Sequence, residues 1–310
     1  MTDSTFEFEL VQREPWPIAQ HVLVIAEVGI NHNGSLELAK RLIDMAKSTG
    51  CDAVKFQKRT LDVVYTQEFL DSPRESPWGT TQREQKEGLE FGSDEYDEID
   101  AYCRDLGIPW FASAWDVPSQ EFLRPYDLPY NKIASAMLTH LDLVAAVAEE
   151  GKPTFVSTGM SGYEDIDRAV EILGKADCPF VLMHTVSEYP APDEKLNLRA
   201  LHALRGRYGC HVGYSGHEVS PIPSVLAAAM GAVAVERHIT LGRAMYGSDQ
   251  AASLERRGLE VLVKNIRLMP RVLGDGEKRV TADEQSVAAK LRYWETFETE
   301  TTSPPVEERA

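Results

Sequence analysis

HVGYSGHEVSPIPSVLAAAMGAVAVERHIT, residues 211–240, contains a complete strand, helix and strand in succession. HVGYSG and AVAVER are short β-prone runs, and PIPSVLAAAMG between them has the composition of a packed helix. Each run ends in a histidine, His217 or His238, placed where a strand meets its loop. Two such ends can hold one metal ion; the plainer alternative is a pair of satisfied histidines near a core.

The same alternation extends outward in both directions. VLVIAEVGI reads as a buried strand, NHNG as a turn, and LELAKRLIDMAKSTG as an amphipathic helix with Ser35 as N-cap and Gly50 as terminator. DAVKFQ is the second strand. A charged, Pro- and Gly-containing connection over about residues 58–92 follows, long enough to predict a functional loop or lid. Helix SDEYDEIDAYCRDLG leads to strand PWFASAW, a helix near 118–124 to NKIASA, LDLVAAVAEEG to PTFVST, and YEDIDRAVEILGK to PFVLMHT. A helix near 197–207 precedes the opening stretch, and SLERRGLEVLVKNIRLM follows it.

Eight strands alternating with eight helices over roughly 250 residues predict an α/β fold, a (β/α)8 TIM barrel. A doubly wound sheet is the other arrangement with this alternation. The expected organisation is an N-terminal arm or hairpin over 1–20, a barrel over 21–285, and a polar, disordered tail over 286–310.

A formal charge of −17 disfavours nucleic acid and anionic membrane surfaces, so any phosphate-bearing ligand must meet a local basic site. The acidic start MTDSTFEFELVQREPW lacks an apolar signal core, and no apolar run has membrane length, which predicts a cytoplasmic protein. Cys51, Cys103, Cys178 and Cys210 show no CxxC spacing and are expected to be buried thiols.

In a barrel of this kind the chemistry lies at the C-terminal ends of the strands. Polar residues at those ends are Glu27, Lys55, Gln57, Lys132, Ser135, Ser157, His184, Ser187, Tyr189, Ser215, His217, Glu236 and His238, with Asp249 in the last loop. Two lysines aimed into a barrel mouth are costly unless compensated by an anion. Lys55 and Lys132 therefore point to a phosphate or carboxylate ligand, or to pairing with Glu27, Glu236 or Asp249. Serine hydroxyls and strand-end amides could donate to the same oxyanion. Glu27, in an apolar strand, reads as a general acid or base or as a salt-bridge partner. His32 reads as catalytic or as a solvated loop histidine, Tyr189 as a substrate contact or a packing partner of Pro190, and His184 chiefly as a loop stabiliser, with an extra metal ligand as the alternative.

AEVGINHNG, DAVKFQ, NKIAS, VSTGM, the H-T-x-x-x-Y-P turn, GYSGH, ERHIT and LGDGEKRV, in this order over about residues 22–280, resemble the sialic acid synthase (N-acetylneuraminate synthase) family. The resemblance implies a TIM barrel that condenses phosphoenolpyruvate with an N-acetylmannosamine-like aldose and releases phosphate. It implies a divalent metal, Mn2+ or Mg2+, on His217 and His238, and phosphoenolpyruvate on Lys55, Lys132, Ser135, Ser157, Ser187 and Ser215. Glu27 takes the place of the catalytic carboxylate, and Gln57, Tyr189 and Asp249 fall on the sugar side. A homodimer is implied as well.

The pattern is departed from in three places. Relatives of this kind carry a C-terminal antifreeze-like domain that lends an arginine to the partner's sugar site, whereas here KLRYW and an acidic segment follow LGDGEKRV. FASAWD lacks the threonine common after its serine, and Ser187 stands where asparagine is common. The rival readings are a non-catalytic sugar-phosphate-binding or regulatory barrel and a metal-dependent aldolase on the same scaffold.

Overall fold

The computed structural model describes residues 10–11, 18–19 and 21–294. Eight parallel strands close into a barrel: β1 (Leu23–Gly29), β2 (Ala53–Lys58), β3 (Trp110–Ala114), β4 (Asn131–Ile133), β5 (Thr154–Ser157), β6 (Phe180–Thr185), β7 (His211–Gly216) and β8 (Ala234–His238). Neighbours in sequence are neighbours in space, and β8 pairs with β1 through Ala234↔Leu23 to His238↔Glu27, which excludes the open doubly wound sheet.

The helices that return the chain are α1 (Leu36–Thr49), α2 (Ser93–Leu106), α3 (Val117–Leu123), α4 (Leu141–Ala148), α5 (Tyr163–Lys175), α6 (Ala200–Tyr208), α7 (Ile222–Ala229) and α8 (Arg256–Leu273). Local chemistry sets their ends. Ser35 Oγ accepts from Leu38 N at 3.3 Å to open α1, and Gly50 at φ +87° closes it. Asp116 caps α3 by accepting from Ser119 N at 2.7 Å.

Period-two alternation turns one set of strand side chains into the barrel. Ile25, Phe111, Phe155 and Met183 fill it below the mouth, all wholly buried, with the Phe111 and Phe155 rings 5.9 Å apart. The filling is tight enough to demand glycine on β7: a β-carbon at Gly213 would lie 2.3 Å from Met183 Sδ. Above this apolar plug the inward positions become polar.

The long connection after β2 is an ordered insertion. It holds short helices Leu61–Val64, Gln67–Asp71 and Gln82–Glu87 and a hairpin pairing Pro73–Ser76 with Gly79–Thr81. Trp78 meets Tyr246 of the loop after β8 edge-to-face at 5.6 Å, so the insertion lies over the C-terminal face.

Within the expected 1–20 arm, Leu10–Val11 pairs antiparallel with Ile18–Ala19; the rest of it lies outside the described residues. The compact barrel unit ends at Pro270 instead of 285. The residues from Arg271 form a second unit with helix Ala282–Leu291, opened by a reciprocal Thr281–Glu284 capping box. The start of the expected disordered tail is thus helical, because T-x-x-E supplies a helix N-terminus that composition alone does not register. Residues 295–310 lie outside the described set. No helix among the described residues is long and apolar enough to cross a membrane. Cys51, Cys103 and Cys178 are buried free thiols, while Cys210 is partly exposed.

His32 is not the solvated loop histidine that its Gly-Asn turn suggests. It is 3% exposed, stacks on Phe91 at 4.0 Å, and its Nδ1 accepts from Gly34 N at 3.1 Å. Burial, reinforced by Arg59, pushes its pKa down to about 3. Between that value and the ordinary 6.5 the unfolded chain takes up a proton that the native fold refuses. The stability tied to His32 is therefore complete above pH 6.5 and lost as the pH falls toward 3. Urea unfolding at pH 7.5 and 5.0 should show a drop that His32→Asn, which keeps an acceptor, reduces by about 2 kcal/mol. An equal drop in both proteins would remove His32 as its source.

Candidate active site

Four charged side chains meet at the mouth, all almost wholly buried. Lys55, from β2, lies 2.6 Å from Glu27 Oε2 of β1 and 3.7 Å from Glu236 Oε1 of β8. Lys132, from β4, reaches both Glu236 oxygens at 3.0 and 3.1 Å. Hydroxyls complete the set: Lys55 Nζ donates to Ser113 Oγ at 3.0 Å, Lys132 Nζ to Ser157 Oγ at 2.7 Å, and Ser215 Oγ to Glu236 at 3.1 Å.

Each lysine is 2% exposed, so the ammonium groups persist only because the carboxylates replace lost water. Burial depresses Lys132 below the usual lysine range, and Glu236 offsets part of this. Burial alone would raise Glu236, but Lys132 and Lys55 outweigh it and hold the carboxyl down to about 2. Of the two sequence alternatives for the lysines, the structure contains the pairing, with Glu27 and Glu236, and strand-end serines stand beside it.

Glu27 is a salt-bridge partner of Lys55, and its other oxygen accepts from Gln57 Nε2 at 2.7 Å. Gln57 is oriented in turn by Arg59, whose guanidinium bonds Gln57 Oε1, pairs with Glu90 at 3.4 Å and lies 4.0 Å above the Trp115 ring.

A second group of hydroxyls surrounds Gly159. Its N–H donates to Ser135 Oγ at 3.1 Å, and a β-carbon here would fall 2.3 Å from Ser187 Oγ and 2.8 Å from Ser135 Oγ. Only glycine lets the two serines converge. Ser187 Oγ is buried with no protein hydrogen-bond partner, which leaves its bonding capacity open to a ligand.

His217 and His238 meet as their strand ends suggest, with ring centroids 5.4 Å apart and a tilt of 54°. The Val186 carbonyl lies 2.7 Å from His217 Nδ1; a carbonyl can only accept, so Nδ1 carries the proton and Nε2 keeps its lone pair. Burial, then His238, pushes the His217 pKa down to about 3, leaving the neutral form that binds metals. His238 Nδ1 is buried without a hydrogen bond, with Asp249 Oδ2 at 3.7 Å. Tyr189 is 45% exposed and stacks on His217 at 4.0 Å, so it packs on the histidine pair instead of beside Pro190 alone. No cluster of three or more His, Cys, Asp or Glu groups suited to a metal occurs among the described residues. The nitrogen donors present are the two imidazoles, His217 with its Nε2 lone pair free, and an ion on this pair would keep its remaining positions open. His184 bonds the Leu196 carbonyl at 2.7 Å and belongs to loop support.

Ser113 and Arg59 are missing from the sequence-based set. Ser113 is the one polar residue of β3, WFASA, and strand parity could have placed it beside Lys55. Arg59 follows Gln57 and Lys58 at the start of a charged loop, where nothing local separates a buried guanidinium from a solvated one.

A closed parallel barrel with a compensated charge cluster and an open histidine pair at its C-terminal mouth defines a barrel enzyme. Residues 42–278 match the NeuB family, and the chain belongs to it. It is 37% identical over 280 residues to the N-acetylneuraminate-9-phosphate synthase of Homo sapiens, spanning 89% of this chain and 78% of that one. It is 33% identical over 269 residues to the N,N'-diacetyllegionaminic acid synthase of Campylobacter jejuni, spanning 85% and 80%. The crystal structure of N-acetylneuraminic acid synthetase from Leptospira borgpetersenii, in complex with citrate, superposes with a TM-score of 0.77 at 30% identity, covering 92% of this chain and 98% of that one.

Removing Glu236 leaves Lys132 without its carboxylate and Lys55 with Glu27 alone. Glu236→Gln is expected to lose about 3 kcal/mol or more of unfolding free energy. Millimolar inorganic phosphate should restore part of it, as read by urea titration with and without the anion. A variant as stable as the parent would show that the lysines do not depend on this carboxylate.

Proposed function

We propose that the chain condenses phosphoenolpyruvate with an acetamido aldose of the N-acetylmannosamine kind, giving a sialic or related nonulosonic acid and phosphate. The carrying observation is the buried pair Lys55 and Lys132, ringed by serines beside an open histidine pair. Membership among synthases of such acids supports the same reading. We place the reaction in the cytoplasm and in a homodimer, in line with the family resemblance.

The two lysines and two carboxylates cancel in charge, so a multiply charged anion entering the mouth requires further positive charge and donors. Lys55 and Lys132 face its phosphate and carboxylate, and Ser135, Ser157, Ser187 and Ser215 present their hydroxyls to its oxygens. His217 and His238 would hold Mn2+ or Mg2+, which when bound supplies the missing charge and Lewis-acid polarisation of the aldehyde oxygen. Gln57, Tyr189 and Asp249 orient the sugar with its aldehyde toward carbon 3 of phosphoenolpyruvate. Carbon 3 forms the new bond, water adds at carbon 2, and phosphate leaves from the resulting tetrahedral centre. Glu27, held by Lys55 and Gln57, transfers the proton that the adding water gives up and the new sugar alkoxide takes up.

Phosphate release is to be measured with phosphoenolpyruvate, Mn2+ and a panel of aldoses, acetamido and plain, with and without a phosphate ester. Turnover is expected with an acetamido sugar, to stop on chelation, to return with Mn2+, and to be abolished by His217→Ala or His238→Ala. Silence across the panel overturns the proposal. Pyruvate adducts formed without consumption of phosphoenolpyruvate would identify an aldolase.

A further inference from the structure

Behind the histidine pair lies a second charged group that faces away from the mouth. Arg237 is wholly buried. Its guanidinium donates to the Glu218 carboxylate at 2.9 Å, to Ser224 Oγ at 3.0 Å and to the Ser220 carbonyl at 3.0 Å, and another N–H reaches the Glu218 carbonyl. Glu218, equally buried, also accepts from the Tyr214 and Ser224 hydroxyls, each at 2.9 Å.

Stability alone does not account for this pair. Two charges withdrawn from water recover their hydration only when every bond is made, and apolar side chains of similar volume serve a core as well. The position of the pair is more informative. Along β8, Glu236 and His238 turn into the mouth and Arg237 turns out; after β7, His217 turns in and Glu218 turns out. With Gly216 paired to Arg237 in the ladder, the ion pair joins the residue after His217 to the residue before His238. Ser224 of α7 is bonded to both partners, which anchors the link to the helix joining the two strands. The carboxylate folds back so closely that a β-carbon at Gly216 would lie 2.5 Å from Glu218 Oε2.

We propose that Glu218 and Arg237 are positioning residues: their buried pair, steadied by Tyr214 and Ser224, fixes the spacing and tilt of His217 and His238 and so sets divalent-ion affinity. This rests on the reading of the histidine pair as the metal site. Groups hydrogen-bonded to metal ligands change affinity by about 10- to 100-fold; Glu218 and Arg237 act one step further back, through the backbone adjoining each histidine, at a two-ligand site with no third protein donor to correct a misplaced ring.

The test is Mn2+ binding by the full chain, titrated through the electron paramagnetic resonance of the free ion, with the zero-field splitting of the bound ion as a report on ligand geometry. Arg237→Lys keeps the charge and loses the fork; it is expected to bind Mn2+ about 10- to 100-fold more weakly, with an altered bound-ion spectrum and cooperative unfolding retained. Tyr214→Phe removes one hydroxyl and should shift affinity several-fold in the same direction; it decides the matter if Arg237→Lys does not fold. Affinity and spectrum unmoved in the variants, while the parent binds Mn2+, overturn the positioning role alone. A loss no greater than the loss of folded protein overturns it too. A parent chain that binds no Mn2+ overturns the metal reading, and the positioning role with it.

Discussion

The burial of two ammonium groups at the end of a barrel is the constraint on which the rest of the mouth depends. Lys55 and Lys132 are out of water, and that is tolerable because Glu27 and Glu236 stand within bonding distance and serine hydroxyls take the remaining N–H groups. The pairing needs four strands, β1, β2, β4 and β8, to deliver one side chain each to the same level, which a closed barrel does and an open sheet would not. Barrel closure, apolar filling beneath and charge compensation above are one arrangement: Phe111 and Phe155 pack the interior, and the next inward positions on their strands are Ser113 and Ser157.

The fold could be read from the sequence because its signals are local and repeated. Ser35 and Gly50 bracket α1 as their chemistry requires, Asp116 opens α3, and left-handed glycines close α2 and α6 at Gly107 and Gly209. Boundaries were less legible where tertiary context decides them. Asn131–Ile133 is a strand of three residues where NKIASA suggests six, because Ser135 already begins a turn that brings its hydroxyl to Gly159. The helix at Ala282–Leu291 was masked by the polar composition around it.

The site divides in the same way. Strand-end lysines, serines and histidines show themselves by being polar where the period calls for apolar residues, so Lys55, Lys132, Ser157, Ser215, His217 and His238 were all legible. Residues whose role comes from a distant loop were not. His32 is buried because Phe91, from the far end of the insertion, covers it, and no feature of NHNG carries that information. Arg59 was hidden for the same reason, its environment being made by Glu90 and Trp115.

The alternation along AVERH has a consequence for how such a site can change over evolutionary time. Glu236 and His238 serve the mouth while Arg237, between them, serves the shell, so gaining or losing one residue in this strand would exchange the two sets and destroy both. Substitution is then the only route open to the strands. The insertion between β2 and α2, which meets the barrel through loop contacts such as Trp78 with Tyr246, can lengthen, shorten or be rebuilt without touching that register. Novelty in what the enzyme accepts should therefore be written in the loops, on strands that stay the same length.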